Sequence, residues 1–166
     1  LNLRHLLLYR RQLVEMRKQL ITRANELKQI AERCNELKFM YKDSQKLIKD
    51  ITERIRNCEE KMRDLMSHSG PLAANFSHIM SVTGIGLVST AAILIYTNNF
   101  NDITSYKKFA SYCGIVPFYE DSGATVHKRD YIGHKSNSMV RAYLTQAAQV
   151  ASRYNIDMID YKIRMT

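Results

Sequence analysis

The stretch Ile79-Met80-Ser81-Val82-Thr83-Gly84-Ile85-Gly86-Leu87-Val88-Ser89-Thr90-Ala91-Ala92 reads as two helices joined by a tight turn. Apolar residues recur at helical spacing on both sides of the Gly-Ile-Gly triplet, and the two glycines sit where the chain must reverse. Glycine tolerates the backbone angles of such a turn and lets another group come close to the main chain. Small residues at Ser89, Ala91 and Ala92 let the second helix lie tightly against its neighbours. With the flanking apolar positions the whole element runs from Phe76 to Tyr96.

This pattern resembles the helix-hairpin-helix module, a DNA-binding element that reads no particular sequence. The physics behind the resemblance is simple. Gly84 and Gly86 allow a phosphate to approach, and the free amides at the start of the second helix, from Leu87 onward, face it. An ordinary tight connection between two helices uses the same residues, so a lone Gly-x-Gly does not decide between the two.

Upstream the composition changes. Residues 1–69 contain neither Gly nor Pro; all six Gly and both Pro lie from Gly70 onward. The apolar period there is seven. Position a is filled by Leu6, Leu13, Leu20, Leu27, Cys34, Tyr41, Ile48, Ile55 and Met62, and position d by Tyr9, Met16, Arg23, Ile30, Leu37, Ser44, Ile51, Cys58 and Leu65. One register held this long predicts a coiled coil. As a single helix it would be roughly 100 Å long, at about 1.5 Å per residue. Such a stripe needs a partner. We expect a continuous helix that pairs with a second copy, making residues 1–69 a dimerisation region; the alternative is a hairpin turning near Asp43-Ser44. Arg10-Arg11 and Arg17-Lys18 fit either phosphate contacts or the solvated flank of a coiled coil. Gly70-Pro71 ends this helix.

The chain has 25 Lys and Arg against 16 Asp and Glu, a formal net charge of +9. That balance favours a polyanionic partner without specifying a sequence. Cys34, Cys58 and Cys113 are odd in number and lack metal-ligand spacing, which predicts reduced structural thiols and a cytosolic setting. The longest apolar run, Ala91 to Tyr96, is too short to span a bilayer. The sequence begins at Leu1 inside a helical pattern, which suggests a fragment of a larger protein.

Downstream, a helix is expected from Ser105 to Cys113, capped by Thr104 or Asp102 and stopped by Gly114. Another runs from Ser138 to about Tyr154, capped by Ser136 or Asn137, with Met139, Val140, Tyr143, Leu144, Ala147 and Val150-Ala151 as its apolar face and Arg141 off that face. Residues 156–166 add a short helix. Between Gly114 and Ser136 lies a loop, with one short strand or hairpin around Thr125-Val126. It presents Ser122 directly before Gly123, followed by His127, Lys128, Arg129, His134 and Lys135. A Ser-Gly pair is usually a turn. Beside cations, however, a serine hydroxyl can attack a phosphodiester whose transition state those cations stabilise. Glu120 and Asp121 would repel phosphate unless they pair with Arg or Lys or hold a metal. No zinc spacing, Walker-type loop or paired-carboxylate motif is present in the sequence.

Taken in order, Val82-x-Gly84-x-Gly86, Ala91-Ala92, Phe100, Phe109-Ala110-x-Tyr112-Cys113-Gly114-Ile115-x-Pro117, Ser122-Gly123, Arg141-x-x-Leu144 and Ala147-Ala148 resemble the C-terminal domain of the insertion-sequence transposases of the IS110/IS116 family, over roughly residues 75–155. The turn before the last long helix, Gly133-His134-Lys135-Ser136-Asn137, departs from the Gly-rich form frequent in that family. The resemblance implies Ser122 as the catalytic nucleophile. It also implies DNA and a structured guide RNA as partners, and a divalent metal, Mg, bound by acidic residues of an upstream domain. No metal ligand is assigned in this chain. The resemblance further implies a prokaryotic cytoplasm, with the protein associated with the nucleoid. The nucleic-acid contacts expected are Gly84, Gly86, Leu87, His127, Lys128, Arg129, Lys135 and Arg141. The expected architecture is mainly α: a coiled-coil region over 1–69, then a compact helical domain over 70–166. The fragment alone should be inactive. Two other classes compete: a non-catalytic nucleic-acid-binding module and a structural coiled-coil adaptor.

Overall fold

The computed structural model describes residues 2–30, 35–116 and 136–165. Among the described residues, seven α-helices and one short 3-10 turn account for the regular structure, and no strand occurs. Chain contacts divide the protein into two compact units, residues 1–66 and 67–166.

The first unit corrects the continuous-helix expectation. Helix α1 (Asn2–Ile30) and helix α2 (Asn35–His68) pack side by side and antiparallel. Leu13 of α1 forms a buried cluster with Ile51 and Ile55 of α2, and Val14 and Leu20 pack against it. Arg10 Nε donates to Glu59 Oε1 at 2.6 Å, and Cys58 Sγ donates to the Leu6 carbonyl at 3.4 Å. Asp43-Ser44 are not a turn, because both lie inside α2. The physical reason is that a seven-residue stripe specifies a partner but not whether that partner belongs to another chain. The single register also fails in α1, where Leu7 and Ala24 are buried while Tyr9, Met16 and Ile30 remain 45–51% exposed. In α2 the predicted stripe holds: Ile51, Ile55, Cys58 and Met62 are all buried.

The second unit begins with helix α3 (Gly70–Met80). Ser69 leaves the helical region (φ −89°, ψ 105°), and Pro71 stands in the first turn of α3. Gly70-Pro71 therefore opens a helix as well as closing one, because proline's fixed φ suits a first turn whose amides are unpaired anyway. Helix α4 (Leu87–Tyr96) is the centre of the unit, with Thr90, Ala91, Ala92, Ile93 and Leu94 all buried. The hydroxyls of Thr90 and Thr97 donate to the carbonyls of Gly86 (3.0 Å) and Ile93 (2.7 Å), so these two buried polar groups are satisfied. Helix α5 (Tyr106–Cys113), helix α6 (Ser138–Tyr154) and helix α7 (Ile156–Met165) complete the unit. Ile93, Cys113 and Val140 meet at its core, with Ile79, Ile85, Phe100, Phe109 and Leu144 packed around them.

Two details were not legible in the sequence. The cap of α5 is Ser105 itself, whose Oγ accepts from Lys108 N at 3.3 Å, in place of Thr104 or Asp102. After α4 the chain makes three successive residues of positive φ: Asn98 (49°), Asn99 (55°) and Phe100 (62°). Asn tolerates that region; Phe does not without support. Asn75 Nδ2 donates to Asn99 Oδ1 at 2.9 Å, Phe100 N donates to Thr97 O at 2.9 Å, and the Phe100 ring lies 5.6 Å from that of Phe109.

Burial pushes the Cys113 thiol up to about 11 from an ordinary value of 9.0. Cys113 should therefore resist alkylation at pH 8 in the native protein and react once urea unfolds it. Since the unfolded thiol ionises first, stability of this unit should fall as pH rises from 9.0 towards 11, which pH-dependent unfolding curves would report.

Candidate nucleic-acid interface and serine segment

The two glycines of the hairpin do different work. Gly84 has φ +93°, and a Cβ there would stand 2.4 Å from the Ala147 carbonyl oxygen of α6. The close approach anticipated for a phosphate is thus taken at Gly84 by the protein's own backbone. Gly86 differs: it is extended (φ −101°, ψ 179°), and a Cβ there would meet nothing within 4 Å. It precedes α4, whose N-terminus has no side-chain cap, so the amides from Leu87 onward lack a side-chain acceptor. Val82 N donates to Ile79 O at 3.2 Å and Ile85 N to Val82 O at 3.0 Å, which fix the turn.

Helix α5 ends as expected at Gly114, in the left-handed conformation (φ 68°), with Ile115 N donating to Ala110 O at 3.0 Å. Asn137 caps α6: its Oδ1 accepts from Met139 N and Val140 N, both at 3.1 Å. The same residue ties back to α5. Asn137 N donates to Tyr112 O at 2.8 Å, Asn137 Nδ2 to Tyr112 Oη at 3.0 Å, and Tyr112 Oη to the Tyr96 carbonyl at 2.8 Å. Tyr112 and Asn137 bracket the segment that carries Ser122, so its two flanks are held together from α4, α5 and α6. Sequence reading found Asn137 as a cap and missed Tyr112, which it treated as part of a motif; no local signal gives a contact 25 residues away.

This clamp gives a clean test. Asn137→Asp keeps the acceptor for the cap and removes the donor to Tyr112; Tyr112→Phe removes the hydroxyl. Each should cost about 0.5–1.5 kcal/mol in urea unfolding, and the double variant less than their sum because the bond is shared.

Ser122, Gly123, His127, Lys128, Arg129 and Lys135 lie outside the described residues. Arg141 is described, in the first turn of α6. Its amide donates to Asn137 O at 3.0 Å, and its Nη1 is buried with no hydrogen-bond partner among the described residues. A buried guanidinium nitrogen without an acceptor is costly, and an anionic oxygen would relieve it. Among the described residues no three His, Cys, Asp or Glu side chains gather as metal ligands. Among the described residues no helix is long and apolar enough to cross a membrane.

Residues 77–162, just over half of the chain, match the family model of the Transposase IS116/IS110/IS902 family. The chain belongs to that family. The matched stretch starts within α3, includes the Gly-Ile-Gly hairpin, the Ser122 segment and all of α6, and ends in α7. Pilin gene-inverting proteins from Moraxella lacunata and Moraxella bovis are each 25% identical to the chain over 105 residues, 63% of this chain and 33% of theirs. The chain thus spans about a third of the length of these relatives.

Proposed function

We propose that this chain grips nucleic acid and supplies the serine nucleophile of a DNA transposase. The observation that carries the reading is family membership over 77–162, a stretch that holds the hairpin, Ser122-Gly123 and Arg141 in one domain. In this reading the Ser122 hydroxyl attacks a backbone phosphorus. A serine–phosphate ester forms, one P–O bond to the DNA strand breaks, and the departing oxygen leaves as a free hydroxyl end. Attack by a hydroxyl end from the other DNA reverses the step, frees Ser122 and joins new strands. His127, Lys128, Arg129, Lys135 and Arg141 offset the charge that builds on the phosphoryl oxygens.

Grip comes from the uncapped start of α4 at Gly86 and Leu87, from the basic residues around Ser122, and from the net charge of +9, which suits both DNA and a structured guide RNA. Gly84 serves the same interface from behind, by seating the hairpin on α6. The Mg ion of the full reaction belongs to acidic residues elsewhere in the complete protein, so this chain alone is inactive. It works in the prokaryotic cytoplasm, on the nucleoid. Dimerisation through residues 1–69 would use the outer face of the hairpin, where Phe39 and Met40 are exposed, since Leu13, Ile51 and Ile55 pack within it.

The test is a covalent trap. End-labelled DNA is incubated with a complete transposase carrying this sequence, then denatured. Protein-linked DNA should appear, and after nuclease digestion a phosphonucleotide should map to Ser122. Recombination without any linkage, or linkage at another residue, would overturn the serine reading and leave the non-catalytic binding module.

A further inference from the structure

The outward face of α2 carries its charges in two different ways. Lys38, Lys42, Lys46 and Lys49 follow at spacings of four, four and three residues, so they share one side of the helix within about 80° of arc. All four are exposed. The buried seam of α2, with Ile51, Ile55, Cys58 and Met62, lies on the far side. From Asn35 to Lys49 the face of the row holds no carboxylate, since Glu36 and Asp43 lie about a quarter turn or more around the helix from its centre. Further along the same face the pattern changes. Arg56 lies 3.9 Å from both Glu53 and Glu60, and Arg54 nearby pairs with Asp50 at 3.0 Å. Among the described residues none of the four lysines has a carboxylate partner.

The excess is local. Residues 17–49 carry nine Lys and Arg against four Asp and Glu, and the rest of residues 1–69 carry seven against six. The fold gains nothing from the row. Lysines four residues apart repel one another, and Lys38, the fourth residue of α2, stands where the helix dipole disfavours a cation.

From these features we propose that the lysine row of α2 is a second grip on DNA, a phosphate-binding edge apart from the Gly-Ile-Gly hairpin and the serine segment. It rests on the DNA-binding reading above and adds a surface to it. Lysines four residues apart are about 6 Å apart along the helix, close to the separation of successive phosphates on a strand, and the whole row is about 16 Å long. Duplex DNA carries a charge for about every 1.7 Å of its axis, so it offers several phosphates to an edge of that length. A lysine ammonium is a point charge on a flexible stem and lacks the planar fork that reads a base edge. The row therefore holds the duplex in place and leaves the choice of sequence to other contacts.

The experiment measures binding of the 166-residue chain to duplex DNA across a salt series, with two variants of equal charge. Lys38→Gln with Lys42→Gln removes two members of the row. Arg54→Gln with Arg56→Gln removes two cations of the same helix that are already paired. Circular dichroism checks that both keep their helicity. The lysine pair should bind about tenfold more weakly at ~100 mM salt, with a salt slope shallower by about two units, and the arginine pair should bind like the wild type. Equal losses in both variants would reduce the row to part of a diffuse net charge and overturn the proposal. A lysine effect confined to stem-loop RNA would overturn it too, by giving the surface a different partner. A wild-type chain that binds duplex while the lysine pair leaves the slope unchanged would remove the row alone. No duplex binding by the wild-type chain even at low salt would remove the DNA-binding reading beneath it. The covalent trap at Ser122 reads separately from all of these, since at saturating DNA the lysine pair should form the linkage to the wild-type extent.

Discussion

Gly84→Ala is expected to destabilise the compact unit by about 3–5 kcal/mol, enough to leave much of it unfolded at 37 °C. Two costs act together. The backbone at Gly84 has φ +93°, where an L side chain is strained, and the added methyl would stand 2.4 Å from the Ala147 carbonyl oxygen. That oxygen cannot yield easily, because it belongs to the backbone of α6. Pushing α6 away would loosen Val140 and Leu144 in the core. Gly86→Ala provides the contrast. Its φ and ψ are ordinary and nothing lies within 4 Å of the new Cβ, so the cost should stay near that of a weaker helix cap, about 1 kcal/mol. Binding should separate the pair in the opposite sense. Gly86→Ala should fold and lose affinity for duplex DNA at low salt, since its methyl obstructs the open start of α4. Urea midpoints for both variants, with a salt series for Gly86→Ala, check the division. A stable Gly84→Ala protein would mean that α6 does not press on the hairpin.

That division shows where sequence reading stopped. Gly-x-Gly announced a tight turn, which exists, and the close approach of a phosphate, whereas the group that comes close at Gly84 is the Ala147 carbonyl. It did not say that the approaching group at Gly84 is α6, because that contact joins residues 63 positions apart. Local signals fared well. Gly114 ends α5 in the left-handed conformation, and Asn137 caps α6 with its own side chain, both by rules that need only neighbours. The heptads of residues 1–69 carried correct chemistry in α2 but could not distinguish a second chain from a second helix of the same chain. No Gly or Pro in residues 1–69 separates one helix from the next. The positive φ of Phe100 was likewise invisible, since it is imposed by Asn75 and Thr97 and not by the residue itself. For the serine, neighbours alone favoured an ordinary turn. Only the ordered set of motifs from Val82 to Ala148 raised Ser122 above that reading.

Ser122→Ala, in a complete transposase, should reduce recombination by about 10⁴-fold or more, the scale on which losing a covalent nucleophile acts. DNA affinity should change less than twofold, because one neutral hydroxyl adds little to a grip made by phosphate contacts. The split between these two readouts is what identifies a nucleophile. Lys128→Glu and Arg129→Glu should show another pattern: weaker binding at every DNA sequence, with a shallower loss of affinity as salt rises, by about one unit of slope for each phosphate contact removed. Arg141→Lys is informative for its own reason. Lys keeps the charge but not the planar fork, and the buried Nη1 of Arg141 has no acceptor among the described residues. If that nitrogen meets a phosphoryl oxygen, Arg141→Lys should lower the rate with little loss of binding, placing it with Ser122; if it is a packing residue, the variant should alter stability and leave the rate of the folded protein alone. Recombination that survives Ser122→Ala at more than a hundredth of the wild-type rate would remove the serine from the chemistry and turn the basic residues around it into a binding surface.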